Sequence, residues 1–348
     1  MQSFEEGLIE KQPLNQRLLQ TIRLIGEYKG KQQLFKEQAP QVLGTLRQAA
    51  VIQSTESSNR IEGITVPLER IKKLVAEKTT PRDRSEQEIA GYRDVLTTIH
   101  TSYTHIPFST GVILQLHRDL YQFAVNTGGR WKTVDNKISA TYPDGTKLVR
   151  FRPTPAYATP AAMERLQERF NHLWESGEIE PLLLIPTYIL DFLCIHPFLD
   201  GNGRMARLLT LLLLYKAGYE VGRFISLERI VERTKESYYD TLYQSSQGWH
   251  EGQHNLLPWW EYFLGVMLLS AYREFEQRVG YVTSAKGTKT AIVLDGINNL
   301  PQKFSVRELQ ERCPTVGIDL IRRLLRRERD AGRLQCQGRG VDAHWRKQ

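Results

Sequence analysis

The strongest constraint on this chain lies in its middle. Residues 182–195 are almost wholly apolar, His196-Pro197 follows, and a second apolar run occupies residues 204–215. These runs are too short or too interrupted to span a bilayer, so each must be buried against other protein. Pro197 disfavours helix at the residue before it, and the chain must turn at His196. Gly201-Asn202-Gly203 then forms a short loop that opens the second helix. Such a loop leaves backbone N–H groups unpaired at a helix N-terminus, where those donors and the helix dipole together favour an anion. The junction of the two helices therefore reads as a phosphate cradle.

The remainder is helical nearly throughout, with no fixed-period repeat and no low-complexity tract. Apolar residues recur at three- and four-residue spacing over 12–29 and 39–61, and a helix restarts after Thr79-Thr80-Pro81 through Ile89, Tyr92 and Val95. Further helices are expected at 111–123 and 160–176. The exception is 137–152, where Thr141-Tyr142-Pro143-Asp144-Gly145-Thr146 supplies a turn between two segments able to pair as a hairpin. The fold class is expected to be all-α with one small β-element.

Composition limits what the motifs must explain. With 348 residues, 41% hydrophobic and 25% charged, the chain is an ordinary globular protein of about two or three domains. Residues 1–11 lack the progression of a signal peptide. Cys194, Cys313 and Cys336 are too few and too scattered for a disulfide framework or a Cys-rich zinc site. A cytoplasmic protein without a membrane segment is expected. The net charge of +8 favours anionic partners, and much of it falls at the C-terminus on Arg322, Arg323, Arg326, Arg327, Arg329, Arg333, Arg339, Arg346 and Lys347.

The side chains around the cradle supply a base, a metal ligand and fixed positive charge, which is what nucleotidyl transfer needs. His196 titrates near neutrality and can take a proton from an attacking hydroxyl. Asp200 offers a hard oxygen to Mg²⁺, an ion typically held by one or two carboxylates and substrate phosphates. Arg204 and Arg207 share a helix face, and Asn202 can donate to a phosphate oxygen. Taken singly, a histidine beside a proline is structural, Gly-Asn-Gly is a turn and an arginine pair is a solvated face. Taken together, His196-Pro197-Phe198-Leu199-Asp200-Gly201-Asn202-Gly203-Arg204-Met205-Ala206-Arg207 resembles the Fic family motif at every defining position.

That resemblance implies a Fic-type helical core and transfer of AMP from Mg-ATP to a Ser, Thr or Tyr hydroxyl of a target protein. By the same resemblance His196 is the catalytic base, Asp200 holds Mg²⁺ and Gly201, Asn202 and Gly203 form the anion hole. Arg204 binds the β- and γ-phosphates, Arg207 faces the γ-phosphate, and Met205 and Ala206 complete the ATP-binding run. Gly129-Arg130-Trp131-Lys132, the hairpin around 143–145 and Phe151-Arg152-Pro153-Thr154-Pro155 resemble the family's flap, which clamps an extended stretch of target by strand addition. Tyr238 and Tyr239 resemble its adenine-side segment, although an aromatic pair on an amphipathic helix also packs as core. Ser58-Asn59-Arg60-Ile61-Glu62-Gly63 fits the family's inhibitory pattern. Ser58 and Glu62 share a helix face before Gly63, and Glu62 would reach the ATP site, pair with Arg207 and hold the enzyme off.

The expected organisation is an N-terminal helical region over 1–104, a catalytic core over 105–250, a helical connector over 251–283 and a basic module over 284–348. Helices at 291–298, 305–312 and 318–332 followed by a wing at 334–345 suggest a winged helix-turn-helix. Its partner is DNA on one reading, and a dimer mate or target protein on the other. The rival functions are phosphate or phosphocholine transfer on the same fold, removal of AMP with Glu62 positioning a water, and a nucleotide-sensing DNA-binding regulator. A homodimer that buries or releases the Glu62 helix fits as well.

Overall fold

The computed structural model describes residues 2–5, 7–38, 40–124, 128–141, 147–284, 288–313, 316–338 and 344–348. The chain divides into two compact units: one comprises 1–29 and 46–273, the other 30–45 and 274–348.

In the first unit the chain runs through helices α1 (Gln16–Gln38), α2 (Pro40–Ile61), α3 (Leu68–Ala76), α4 (Arg84–Ser102) and α5 (Thr110–Leu120), of which α1 and α2 also supply residues to the second unit. Strands β1 (Ile138–Thr141) and β2 (Lys147–Phe151) follow and pair antiparallel, with a register shift between Ile138 and Ser139. The expected turn of this hairpin, 142–146, lies outside the described residues. The unit continues with α6 (Thr159–Ser176), α7 (Pro181–Ile195), α8 (Asn202–Lys216), α9 (Leu227–Arg233), α10 (Lys235–Ser246) and α11 (Leu257–Glu261). A π-helical stretch, Tyr262–Leu268, leads into α12 (Leu269–Ser284), whose residues from Glu274 onward belong to the second unit.

The two apolar runs become α7 and α8, both almost wholly buried, as their composition demanded. Leu184, Phe192, Leu208 and Leu212 are 0% exposed, and side chains of this kind contribute about 1.5–3 kcal/mol each when fully buried. Trp259 and Trp260 close over α7, their indole N–H groups donating to Pro186 O at 2.7 Å and Thr187 Oγ1 at 2.9 Å. Asp83 and Ser109 cap α4 and α5 by accepting from the backbone N–H three residues on, and Gly177 ends α6 in the left-handed conformation. Helices α3 and α9 are additions to the sequence-based expectation, and α1 runs to Gln38 rather than stopping at 29.

In the second unit α13 (Thr288–Asn299) precedes strand β3 (Lys303–Ser305), helices α14 (Val306–Arg312) and α15 (Ile318–Asp330), and strands β4 (Leu334–Gln337) and β5 (His344–Lys347). The strands form one antiparallel sheet in the order β3-β5-β4. A core that includes Val293, Phe304, Leu309, Ile321, Leu325 and Trp345 ties helices to sheet. The expected linker residues 285–287 and the tip of the expected wing at 339–343, with Arg339, lie outside the described residues.

Candidate functional site

Helix α7 ends at His196, whose N–H donates to Phe192 O at 2.9 Å while its backbone takes a left-handed φ of 51°. This region suits a helix C-cap and is uncommon for a residue other than glycine. From here to α8 nearly every inward-facing backbone group of the loop is fixed. Lys132 donates from Nζ to Ile195 O at 3.0 Å and from its N–H to Pro197 O at 2.8 Å. Asn136 donates to Phe198 O at 3.0 Å. The Asn202 amide accepts from Phe198 N–H at 2.9 Å and donates to Phe198 O at 2.7 Å.

His117 supports the loop from behind. Its ring stacks on Phe198 with centroids 3.6 Å apart, and Nδ1 accepts from Gly129 N–H at 2.8 Å. Nε2 therefore carries the proton and donates to Asp200 O at 3.1 Å. Burial, with the Arg204 charge adding to it, lowers the His117 pKa to about 4, which keeps the ring in this neutral form. Gly201 caps α8 with a φ of 80°, and Met205 N–H donates to Gly201 O at 2.9 Å. The N–H groups of Asn202, Gly203 and Arg204 are thus left without an acceptor inside the helix.

His196 Nδ1 lies 3.3 Å from Leu193 O and so carries the ring proton, which leaves the Nε2 lone pair available. Burial, joined by the Lys132 charge, lowers the His196 pKa to about 4 against the opposing effect of the Leu193 carbonyl. At neutral pH the ring is an uncharged acceptor.

A cavity of about 220 Å³ opens over the loop. Its floor includes His196, Asp200, Gly203 and Arg207, and its walls include Ile138, Arg150 and Phe151 of the hairpin and Tyr239 and Tyr243 of α10. The hairpin is tied to that wall. The Arg150 guanidinium lies 5.3 Å from the Tyr243 ring centroid and 3.8 Å from Asp240 Oδ1, and Phe151 stacks on His250.

Glu62 reaches the same cavity from α2. Gly63 N–H donates to Arg60 O at 3.0 Å and Ile64 N–H to Asn59 O at 3.0 Å, the hydrogen-bond pair of a Schellman cap, with Gly63 at a φ of 81°. The helix stops there, and Glu62 is left at its last turn with its carboxylate 2.7 Å from Arg207 Nη2. Ser58, one turn earlier, accepts from Arg207 Nε at 2.9 Å, and Ser58 O accepts from Nη2 at 2.9 Å. Burial works against the Arg207 charge, but Glu62, aided by Tyr238 and Tyr92, outweighs it and raises the pKa. The Glu62 carboxylate also lies so close to Gly203 that a Cβ there would sit 2.4 Å from Oε1.

Several expected contacts fall elsewhere. Arg204 does not line the cavity; it is 1% exposed and bonded to Glu88 at 2.7 Å and to Tyr121 Oη at 2.8 Å. Met205 and Ala206 are buried in α8 behind the loop, because they fall on its inner face. Both polar ends of the Asn202 side chain bond to Phe198. Tyr238 touches the cavity but packs edge-on against Trp259 and Tyr262, whereas Tyr239 is 38% exposed. The sequence reading missed His117, Asn136 and Glu88, and took Lys132 only as part of the flap. These residues lie far along the chain from the motif they hold and carry no local signal.

Asp200 is an exposed carboxylate whose Oδ1 accepts from Gly201 N–H at 2.7 Å. Among the described residues no cluster of three or more His, Cys, Asp or Glu side chains is arranged to hold a metal ion. One exposed carboxylate, its Oδ2 3.8 Å from Arg204 Nη2, beside an anion site fits Mg²⁺, which takes few protein ligands and completes its shell with phosphate oxygens and water.

A family model described as the Fic/DOC family matches residues 107–214, which contain α5, the hairpin and the whole loop from His196 to Arg207. The chain carries a Fic domain. Among curated proteins, the Protein adenylyltransferase Fic of Nematostella vectensis is 28% identical over 210 residues, 57% of this chain and 44% of that protein. The Drosophila grimshawi protein of the same name is 27% identical over 191 residues, 52% of this chain and 36% of its own length. The chain thus spans less than half the length of these curated relatives. A crystal structure of a Fic family protein from Desulfovibrio desulfuricans matches with a TM-score of 0.62 and 21% identity over 97% of each chain, a likeness of fold. No helix among the described residues is long and apolar enough to cross a membrane.

Proposed function

We propose that the Fic domain transfers AMP from Mg-ATP to a hydroxyl side chain of a protein, and that Glu62 holds it inactive. The carrying observation is one constellation: an uncharged His196 with Nε2 open, beside the N-terminus of α8, whose Arg207 is occupied by Glu62. The target hydroxyl attacks the α-phosphorus, His196 Nε2 takes its proton, and the bond from that phosphorus to pyrophosphate breaks. The N–H groups of residues 202–204 face the charge that develops on the phosphate oxygens. Asp200 would hold Mg²⁺ with the phosphate chain, and the ion would neutralise charge on the departing pyrophosphate. Arg207, once released by Glu62, supplies positive charge at the γ-phosphate. The hairpin's unpaired edge, with exposed Leu148 and Val149 on β2, suits an extended target segment added as a strand.

Intact-protein mass spectrometry after incubation with Mg-ATP and cell extract tests this reading on wild type, Glu62→Gly and Glu62→Gly/His196→Ala. An AMP-sized addition that grows in Glu62→Gly and vanishes without His196 is expected. A phosphate-sized addition, or the same addition in all three proteins, would overturn it.

A further inference from the structure

The second unit carries chemistry that adenylyl transfer does not use. Residues 288–348 hold 13 Lys and Arg against 7 Asp and Glu, so this segment has a net charge of +6 out of +8 for the whole chain. Within it α14 and α15 form two successive helices separated by residues 313–317, and Gly317 is the N-cap of the second. Helix α15 buries Ile321, Leu324, Leu325 and Glu328 and leaves Arg322, Arg323, Arg326, Arg327 and Arg329 exposed.

The outward charges divide into two sets. Arg327 and Arg333 both bond to Glu328, and Arg329 bonds to Asp330. Arg322, Arg323 and Arg326 are exposed, and none has a carboxylate partner among the described residues. Three neighbouring guanidinium groups without counter-charge repel one another, an arrangement that an external anion relieves.

The sheet repeats the pattern independently. Lys303 on β3 stands directly opposite Arg346 on β5, both exposed, while Phe304 and Trp345 face inward. Like charges directly opposite one another destabilise a strand pair, so this pair too gains from an anion outside the fold.

We infer that the second unit is a helix-turn-helix module that binds duplex DNA, with α15 as the helix that enters the major groove. A duplex carries regularly spaced phosphates along a groove that admits one α-helix, which matches a row of free arginines one turn apart on a helix backed by its own core. Arg322, Arg323 and Arg326 contact phosphates and base edges. The activity is separate from adenylyl transfer and stands or falls independently of it.

The test is retention of a labelled DNA duplex of about 30 base pairs by the full chain in native gels, across a salt series. Wild type should bind with an affinity that falls steeply between about 50 and 200 mM salt. The R322A/R323A/R326A variant should lose at least tenfold in affinity and about 3 from the slope of log affinity against log salt. Replacing the same three residues with lysine should keep most of that slope, which separates lost charge from lost folding. Unchanged unfolding temperatures establish that each variant folds. No retention at 50 mM salt, equal binding by the alanine variant, or a preference for single-stranded RNA over the duplex would each overturn the inference.

Discussion

Gly203→Ala, made in wild type and in Glu62→Gly, gives effects of opposite sign if Glu62 is seated as described. In wild type the new Cβ would lie 2.4 Å from Glu62 Oε1 and 3.3 Å from Arg207 Nη1. An ordinary contact needs about 1 Å more, and a carboxylate displaced that far strains or loses its 2.7 Å bond to Arg207. Losing a charge-assisted bond whose acceptor is about a third exposed costs about 1–2 kcal/mol. Against this, alanine is better than glycine in a helix by about 0.5–1 kcal/mol. Gly203 is helical with a φ outside the left-handed region, so that gain is available.

The net expectation is a loss of about 0–1.5 kcal/mol in wild type and a gain of about 0.5–1 kcal/mol when Glu62 is already absent. At about 2–4 °C per kcal/mol, Gly203→Ala lowers the unfolding temperature by up to about 6 °C in the first background and raises it by about 1–4 °C in the second. Thermal unfolding of the four proteins, without nucleotide and at fixed salt, measures this directly. Equal shifts in the two backgrounds would show that Glu62 does not lie against Gly203, and the argument for occlusion of the anion site would fail with it.

Other consequences are testable with less. Burial lowers the His100 pKa to about 3 and the His117 pKa to about 4, both well below the unfolded value near 6.5. The unfolded chain then binds more protons than the folded one between pH 6.5 and 4, so stability from these groups is complete above 6.5 and is lost as pH falls through that window. Chemical unfolding at steps from pH 7.5 to 4.5 should show the decline, and His117→Gln should flatten part of it; a level profile refutes the buried neutral assignments. Because the Lys132 charge depresses His196, Lys132→Met in the Glu62→Gly background should move the acid limb of the labelling profile to higher pH. A limb that stays in place while the rate falls would assign Lys132 to loop support alone.

What the sequence disclosed and what it hid follow from how local each cause is. The turn at His196 depends on Pro197, the end of α2 on Gly63 and the opening of α8 on Gly201, all within a few residues of their effect. Ser58 and Glu62 were legible as a pair because one helical turn puts them on one face, and the partner arginine came from the family pattern. The bond of Arg204 to Glu88 was not legible, because Glu88 stands on α4, 116 positions away in sequence. Asn202 looked like a ligand because an amide can donate, yet the loop consumes both its ends. His117, on α5 and stacked against the loop, had no neighbour in sequence to mark it. Trp259 and Trp260 read as a connector, and their burial on α7 depends on contacts across 73 positions.

The loop between α7 and α8 has a further bearing on turnover. Lys132, Asn136, Asn202 and His117 hold it from four directions, and His196 is fixed in an unusual backbone conformation at its start. A floor so braced has little freedom to rearrange when a nucleotide arrives, so the motions of a catalytic cycle belong to the opposite side, where the hairpin is fastened by a long Arg150–Asp240 contact and a few aromatic rings. Substitutions at that fastening should alter the speed of opening and product escape, while the chemical step, set by the floor, keeps its own rate.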